Sequence, residues 1–182
     1  MAGHAAAQQN VNIRGTLTGF DGKVLSVKAR DGRDVQINLP ENVGVNATKA
    51  FSLSDIKPNM VLGVTTVKRA DGAVVAIDVR PIPPAARQGL SQYDLQPEST
   101  MTNAVFEGAV QGSSGQELTL NYQTGSIKVL VPAGTPMSQA VPGTRADLKP
   151  GEGIFVAARP GDNGSLVAVR VQVGKDGVRP TQ

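Results

Sequence analysis

The stretch "LSDIKPNMVLGV", Leu53 to Val64, returns later in the chain as "RADLKPGEGIFV", Arg145 to Val156. In each copy a hydroxyl side chain comes directly before the stretch, and an aspartate follows that side chain by three residues, which is the spacing of a capping box. The Lys-Pro pair then ends the turn, because proline cannot donate the hydrogen bond that would continue it. The pattern predicts a capped single turn in front of a strand, with structural rather than catalytic residues. These residues are Ser52, Asp55, Lys57 and Pro58 in the first copy and Thr144, Asp147, Lys149 and Pro150 in the second.

The similarity between the two copies extends beyond this stretch. At an offset of 93 residues Gly15 pairs with Gly108, and at an offset of 92 residues Val64 pairs with Val156. The period is longer than the ~20–45 residues of solenoid repeats, so the pattern predicts an internal duplication into two tandem domains. The predicted boundaries are 1–10 for a disordered tail, 11–81 for the first domain, 82–103 for an interdomain segment, 104–174 for the second domain and 175–182 for a C-terminal tail.

Each copy has the pattern of five short strands. Apolar residues alternate at Val35, Ile37 and Leu39, which is the period of a half-buried strand. The pairs Asp31-Gly32 and Asp71-Gly72 favour tight hairpin turns, since glycine accepts a positive φ. Five strands with a short helical plug between the third and the fourth are typical of the Greek-key OB barrel. The predicted fold class is therefore all-β, with two tandem small five-stranded Greek-key (OB-like) barrels.

The composition agrees with this fold class and limits the functions. The 182 residues include 21 Gly and 12 Pro but only 3% aromatic residues, so the core must be aliphatic and the turns frequent. The net charge is +3, which is too weak to indicate nucleic acid as a partner. By region, residues 11–81 hold ten Lys or Arg against seven Asp or Glu, and residues 104–174 hold five of each.

The residue types needed for most catalytic sites are scarce. The chain has no Cys and a single His, His4, which rules out thiol catalysis, Cys-zinc sites and iron–sulfur clusters. Neither a G-x-S-x-G nucleophile motif nor a P-loop is present. The sequence therefore predicts no catalytic residues, no metal site and no cofactor, and a protein that is not an enzyme.

The segment without a counterpart, "IPPAARQGLSQYDLQPESTMTN" at 82–103, is longer than a hinge requires. Tyr93 and Leu95 would gain nothing in a solvated tether, so we expect this segment to pack across both barrels, a mobile linker being the alternative. The predicted interdomain or partner contacts are Tyr93, Asp94, Leu95 and Phe155.

Several motifs resemble those of a known family. The stretch "SLSDIKPN" (52–59), the DG turns, "YDLQPESTMTN" (93–103) and "VGKDGV" (173–178) resemble a family of small exported bacterial domains of unknown function. Within it, a two-copy branch, often labelled "metal ABC transporter permease", is similar to nearly the whole chain beyond residue 10. That label implies a membrane-spanning subunit, whereas no apolar run approaches the ~20 residues of a spanning helix.

The resemblance implies export, and it brings no catalytic residues. The opening "AGHAAAQ" (2–8) has the small residues found around signal cleavage sites, so we expect a periplasmic or otherwise exported protein, with no signal peptide in this sequence. The predicted function is a non-catalytic binding or assembly module of the bacterial cell envelope. Its partner would be a protein or a second copy of the chain, in preference to a small molecule.

Two alternatives remain open at this point. Single-stranded nucleic acid binding would need exposed aromatic residues, for which Phe20, Phe51 and Phe155 are the candidates, whereas Phe106 aligns with Ile13 in the core. A metal-binding periplasmic accessory role would need thioether ligands such as those of Met60, Met101 and Met137.

Overall fold

A computed structural model of the protein describes residues 9–112 and 115–181 and has an all-β fold. The tail predicted at 1–10 lies almost entirely outside the described residues. The strands are β1 (Val11–Phe20), β2 (Val24–Ala29), β3 (Asp34–Asn38), β4 (Val45–Ala50), β5 (Val61–Lys68), β6 (Val74–Pro81), β7 (Gly89–Tyr93), β8 (Ser99–Gly112), β9 (Gly115–Tyr122), β10 (Gly125–Val131), β11 (Ser138–Pro142), β12 (Gly153–Pro160) and β13 (Leu166–Gly174). Single 3₁₀ turns occupy Leu53–Asp55, Arg145–Asp147 and Asp162–Gly164.

The chain divides into two compact units that do not follow the predicted boundaries. Unit 1 combines Met1–Lys49 with Ala140–Gln182, and unit 2 is the continuous stretch Ala50–Gln139. The two contiguous domains expected at 11–81 and 104–174 are therefore replaced by units that each draw strands from both copies of the repeat.

Unit 2 contains a closed five-stranded barrel. Its strands follow the order β5-β6-β10-β9-β8, and pairing of β5 with β8 closes the ring. All neighbours are antiparallel except β6 and β10, which are joined in parallel at Val75 and Leu130. The interior is aliphatic, as the composition predicts. It is filled by Leu62, Val64, Ala76, Val79, Ala104, Phe106, Leu118, Leu120, Val129 and Val131.

Unit 1 contains a seven-stranded sheet in the order β11-β4-β13-β12-β1-β2-β3. A parallel bridge between Val167 and Asn38 also joins β13 to β3, and β4 runs parallel to β13. Its core is again aliphatic, with Leu17, Leu25, Ile37, Val156 and Val171 fully buried.

Each unit combines the first three strands of one copy of the sequence repeat with the last two strands of the other. In unit 1, β1, β2 and β3 of the first copy are completed by β12 and β13 of the second, since β1 pairs with β12. In unit 2, β8, β9 and β10 of the second copy are completed by β5 and β6 of the first. Leu62 and Val64 of β5 and Ile154 and Val156 of β12 are all buried, so either strand presents the same apolar face to a core.

The predicted alignment of the two first strands is wrong by four residues. A bulge follows Leu17 in β1 and Phe106 in β8, and the next paired residues are Gly19 and Gly108. Gly108 therefore corresponds to Gly19 rather than to Gly15, and Phe106 takes the place of Leu17 rather than of Ile13. Because β2 and β9 keep the 93-residue offset, the hairpin of β8 and β9 is four residues longer than that of β1 and β2.

Candidate functional site

The two capped turns use their aspartates internally. Oδ2 of Asp55 accepts hydrogen bonds from the backbone N–H of Ser52 and from its hydroxyl, both at 2.9 Å. Oδ2 of Asp147 accepts the backbone N–H of Thr144 at 2.8 Å. Each carboxylate holds the first residue of its own turn, as expected for the third residue of a capping box. The Lys-Pro pairs that follow, Lys57-Pro58 and Lys149-Pro150, are exposed.

The segment at 82–103 is not a tether but part of unit 2. It contains β7 and the beginning of β8, which form an antiparallel hairpin with Gly89 opposite Asn103 and Tyr93 opposite Ser99. Asp94 lies exposed in the loop of this hairpin, whereas Tyr93 and Leu95 are half-buried.

Side-chain hydrogen bonds fix the hairpin at both ends. The hydroxyl of Ser99 lies 2.8 Å from both the Tyr93 and the Gln96 carbonyl oxygens, and Nδ2 of Asn103 donates to the Arg87 carbonyl at 3.1 Å. Ser99 is buried, so its bonds close the loop away from solvent. The hairpin is therefore a built element of the sheet.

Strand β7 forms an exposed edge of the sheet in unit 2, which we call the β7 edge (Gly89–Tyr93). Within residues 9–112 and 115–181, β7 pairs with β8 on one side and with no strand on the other. Its sequence, GLSQY, contains no charged residue and no proline, the residue types with which proteins usually block a free edge. Leu90 is 46% exposed, so the edge also presents an apolar side chain.

Sequence reasoning missed this edge because it treated residues 82–103 as an irregular segment. The signal was weak: the five residues of β7 alternate poorly in polarity and follow a proline-rich stretch. Only the pairing with β8, whose start also lay in the supposed linker, defines the strand.

Phe155 is buried, and its prediction as a partner contact is wrong. The ring is 3% exposed, and the guanidinium carbons of Arg14 and Arg170 lie 5.2 Å from its centroid. Phe51 is also buried, and Phe20 is half-buried with Arg145 above its ring at 5.9 Å. These three aromatic rings are engaged within the units and do not form a stacking surface for bases.

The distribution of charge follows the compact units and not the repeats. Unit 1 carries twelve Lys or Arg against eight Asp or Glu, and unit 2 carries six against seven. Residues 1–49 and 140–182 contribute equally to this excess, each with six Lys or Arg against four Asp or Glu, so the basic character extends beyond the first copy. There Oδ1 of Asp21 accepts two backbone N–H groups at 2.8 and 2.7 Å, and these bonds lower the pKa of that carboxyl. Backbone and side-chain hydrogen bonds from Arg33 likewise lower the pKa of Asp31.

The C-terminal residues 175–181 are bound to unit 1. The backbone N–H of Lys175 donates to the Thr48 carbonyl at 3.0 Å, and Nε of Arg14 donates to the Thr181 carbonyl at 2.7 Å. These contacts anchor both ends of the stretch that was expected to be a tail.

The structure brings no set of metal ligands together among the residues that it describes. No group of three or more His, Cys, Asp or Glu is close enough to hold an ion in that part of the chain. Sδ of Met60 accepts the backbone N–H of Lys57, and Sδ of Met101 lies 3.9 Å from a guanidinium nitrogen of Arg80. No helix within the described residues is long and apolar enough to cross a membrane.

Comparison of the chain with protein-family models, with curated proteins and with solved structures gives no match.

Proposed function

We propose that the protein is a non-catalytic binding module of the bacterial cell envelope that takes an extended segment of a protein partner onto the β7 edge. The observation that carries this proposal is the unpaired side of β7. A partner strand would satisfy the backbone N–H and C=O groups on that side by β-augmentation, which requires no special residues in the receiving strand.

The character of β7 supports this mode of binding. Leu90, Ser91 and Gln92 are exposed and uncharged, so an incoming strand meets neither a buried charge nor a steric block. The Ser99 and Asn103 hydrogen bonds hold β7 in its extended form before a partner arrives. Such preorganisation reduces the entropy lost on binding.

The same proposal includes an OB-like fold for both units and a location in the periplasm. The order β8-β9-β10-β6-β5 around the barrel in unit 2, with one parallel junction, supports an OB-like barrel, and we extend this to unit 1 through the β13–β3 bridge. Location in the periplasm rests on the resemblance to exported bacterial domains and on the small-residue opening of the chain.

The test replaces residues on the β7 edge. A photo-crosslinking amino acid at Leu90 is expected to capture a partner in intact cells, and the same group at Val110, which is 68% exposed on β8, serves as the control. With the purified partner, Leu90→Lys combined with Gln92→Lys should weaken binding at least tenfold, whereas Val110→Lys should leave it unchanged.

Two results would contradict this proposal. One is an identical set of crosslinked products from Leu90 and Val110, which would show that neither position is specific. The other is unchanged affinity of the double lysine variant for the partner. Separation of cells into periplasmic and cytoplasmic fractions tests the location independently of the edge.

A further inference from the structure

Unit 2 has a cavity at one end of its barrel, next to the first capped turn. The cavity has a volume of about 460 Å³, and none of the twelve described residues that line it is charged. Phe51 and Val131 in its wall are buried, and Leu53 and Met137 are half-buried side chains that pack against the barrel core. The lining of the cavity therefore includes residues of the apolar barrel core.

Unit 1 fills the corresponding place with its own side chain. Arg145 occupies the position in the second capped turn that Leu53 occupies in the first. Its guanidinium group donates to the carbonyl oxygens of Pro40 at 2.6 Å and Val43 at 3.5 Å and lies over the ring of Phe20. In unit 1, Arg145 thus contacts the turn that corresponds to the one lining the cavity in unit 2.

In unit 1, Arg145 and the ring of Phe20 together form what we call the plug. Unit 2 has neither of these side chains at the corresponding positions. Leu53 is shorter than arginine and has no donor, and Ala109 stands where unit 1 has Phe20, since Ala109 pairs with Leu118 as Phe20 pairs with Leu25. The carbonyl of Pro132, which corresponds to that of Pro40, accepts instead the hydroxyl of Thr135 at 2.8 Å. This carbonyl therefore binds a neutral hydroxyl of its own turn in the wild type, and that hydroxyl can rotate to leave a lone pair for a guanidinium N–H.

The longer hairpin of unit 2 adds a wall that unit 1 does not have. Gln111 and Gln116 face each other across β8 and β9 in the four-residue extension, and both line the cavity. Nε2 of Gln111 donates to the Gly112 carbonyl at 3.1 Å, while the amide of Gln116 makes no hydrogen bond to another described side chain or backbone group. Two neutral amides at the rim can bind a polar group of a ligand without favouring a charge.

We propose that this cavity is a binding site for an uncharged, mainly apolar small molecule. Its volume falls within the ~300–1,000 Å³ of ligand sites, and it combines an apolar lining with a few polar groups. A buried cavity of ~150 Å³ holds benzene, so a ligand of two or three fused or linked rings fits about 460 Å³. The turn that forms the floor is preformed, because Thr135 closes it onto Pro132 and Gly134 adopts φ +82.

The experiment uses the full chain and the uncharged fluorescent probe N-phenyl-1-naphthylamine. We expect saturable binding with one probe per chain. Leu53→Arg combined with Ala109→Phe rebuilds the plug of unit 1 and should weaken probe binding at least tenfold. The control is Val11→Arg, which also replaces an apolar residue by arginine, at a 44% exposed position on β1 outside both proposed sites, and should leave probe binding unchanged.

A second measurement applies to the unaltered protein. Probe binding should shift the NMR signals of the Gln111 and Gln116 side-chain amides and of the Met137 methyl group, while signals of Phe20 and Arg145 stay in place. The proposal is overturned by absence of saturable binding, by equal binding of the plugged variant and the wild type, or by shifts outside the cavity. Because neither Leu53 nor Ala109 lies on the β7 edge, failure here leaves the test of the partner site unaffected.

Discussion

Ile13 of β1 lies directly opposite Val156 of β12, although the two residues belong to different copies of the repeat. In unit 2 the corresponding pair is Thr102 of β8 opposite Val64 of β5, again one residue from each copy. Both units thus depend on strand pairs that join the first half of the chain to the second.

Cutting the chain between β6 and β7 should leave its two halves associated. A protease site inserted after Pro84, an exposed residue, separates the copies without touching a strand. Because β1 pairs with β12 and β5 pairs with β8, the fragments should co-elute as a one-to-one complex in size-exclusion chromatography. Elution of two separate folded fragments would show that each copy closes on itself.

The capping aspartates should contribute to stability and not to binding. Asp55→Ala and Asp147→Ala each remove the acceptor of an N-cap backbone N–H, which should lower the free energy of unfolding by about 1 kcal/mol. Urea denaturation measures this change, with the exposed Glu41→Ala as the control. If Asp55→Ala leaves stability unchanged and abolishes partner or probe binding, the turn is a site and not a cap.

Substitution of Gly15 should destabilise the protein, whereas substitution of Gly19 on the same strand should not. A Cβ atom on Gly15 would lie 2.1 Å from the backbone oxygen of Lys28 in the adjacent strand, while one on Gly19 would meet no atom within 4 Å. We expect Gly15→Ala to cost more than about 2 kcal/mol of unfolding free energy and Gly19→Ala to change it by less than about 0.5 kcal/mol. Equal melting temperatures of the two variants would contradict the pairing of β1 with β2.

The ring of Phe155 should stabilise unit 1 beyond its volume. Phe155→Leu keeps an apolar side chain but removes the ring to which Arg14 and Arg170 are attracted, so we expect a loss of about 1–3 kcal/mol in unfolding free energy. Phe106→Leu is the control, since Phe106 is also buried but has no described cation above its ring. The prediction fails if both substitutions lower the free energy of unfolding by the same amount.

Low pH should destabilise unit 1, because Asp21 and Asp31 become protonated. Hydrogen bonds lower the pKa of both carboxyls below the ordinary value of 3.8. The two carboxylates therefore make their full contribution to the free energy of unfolding above that pH, and this contribution is lost as the pH falls through the pKa of the folded state. Asp21→Asn combined with Asp31→Asn should therefore flatten the fall in unfolding free energy between about pH 5 and about pH 2. NMR titration of the two carboxyl carbons gives the folded pKa values, and midpoints at or above 3.8 would refute this account.

The local elements follow from short-range features of the amino-acid sequence. Apolar alternation predicted five strands in each copy of the repeat, though not β4, β7 or β11. The Ser52–Asp55 and Thr144–Asp147 spacings located both capped turns, because these features depend on residues close together in the chain. The aliphatic core and the all-β class followed from composition in the same way. The short edge strand β7 was not predicted, because its five weakly patterned residues become a strand only when β8 pairs with them.

Long-range contacts fix which strands complete which unit and where a cavity remains open. β5 and β12 both bury their first four residues and the sixth, so this pattern does not distinguish the partner of β1, and the free energy of the whole arrangement makes the choice. The difference between Leu53 and Arg145 was visible in the sequence. That Arg145 reaches the Pro40 carbonyl while Leu53 leaves about 460 Å³ unfilled depends on residues far apart in the chain meeting at the end of each unit.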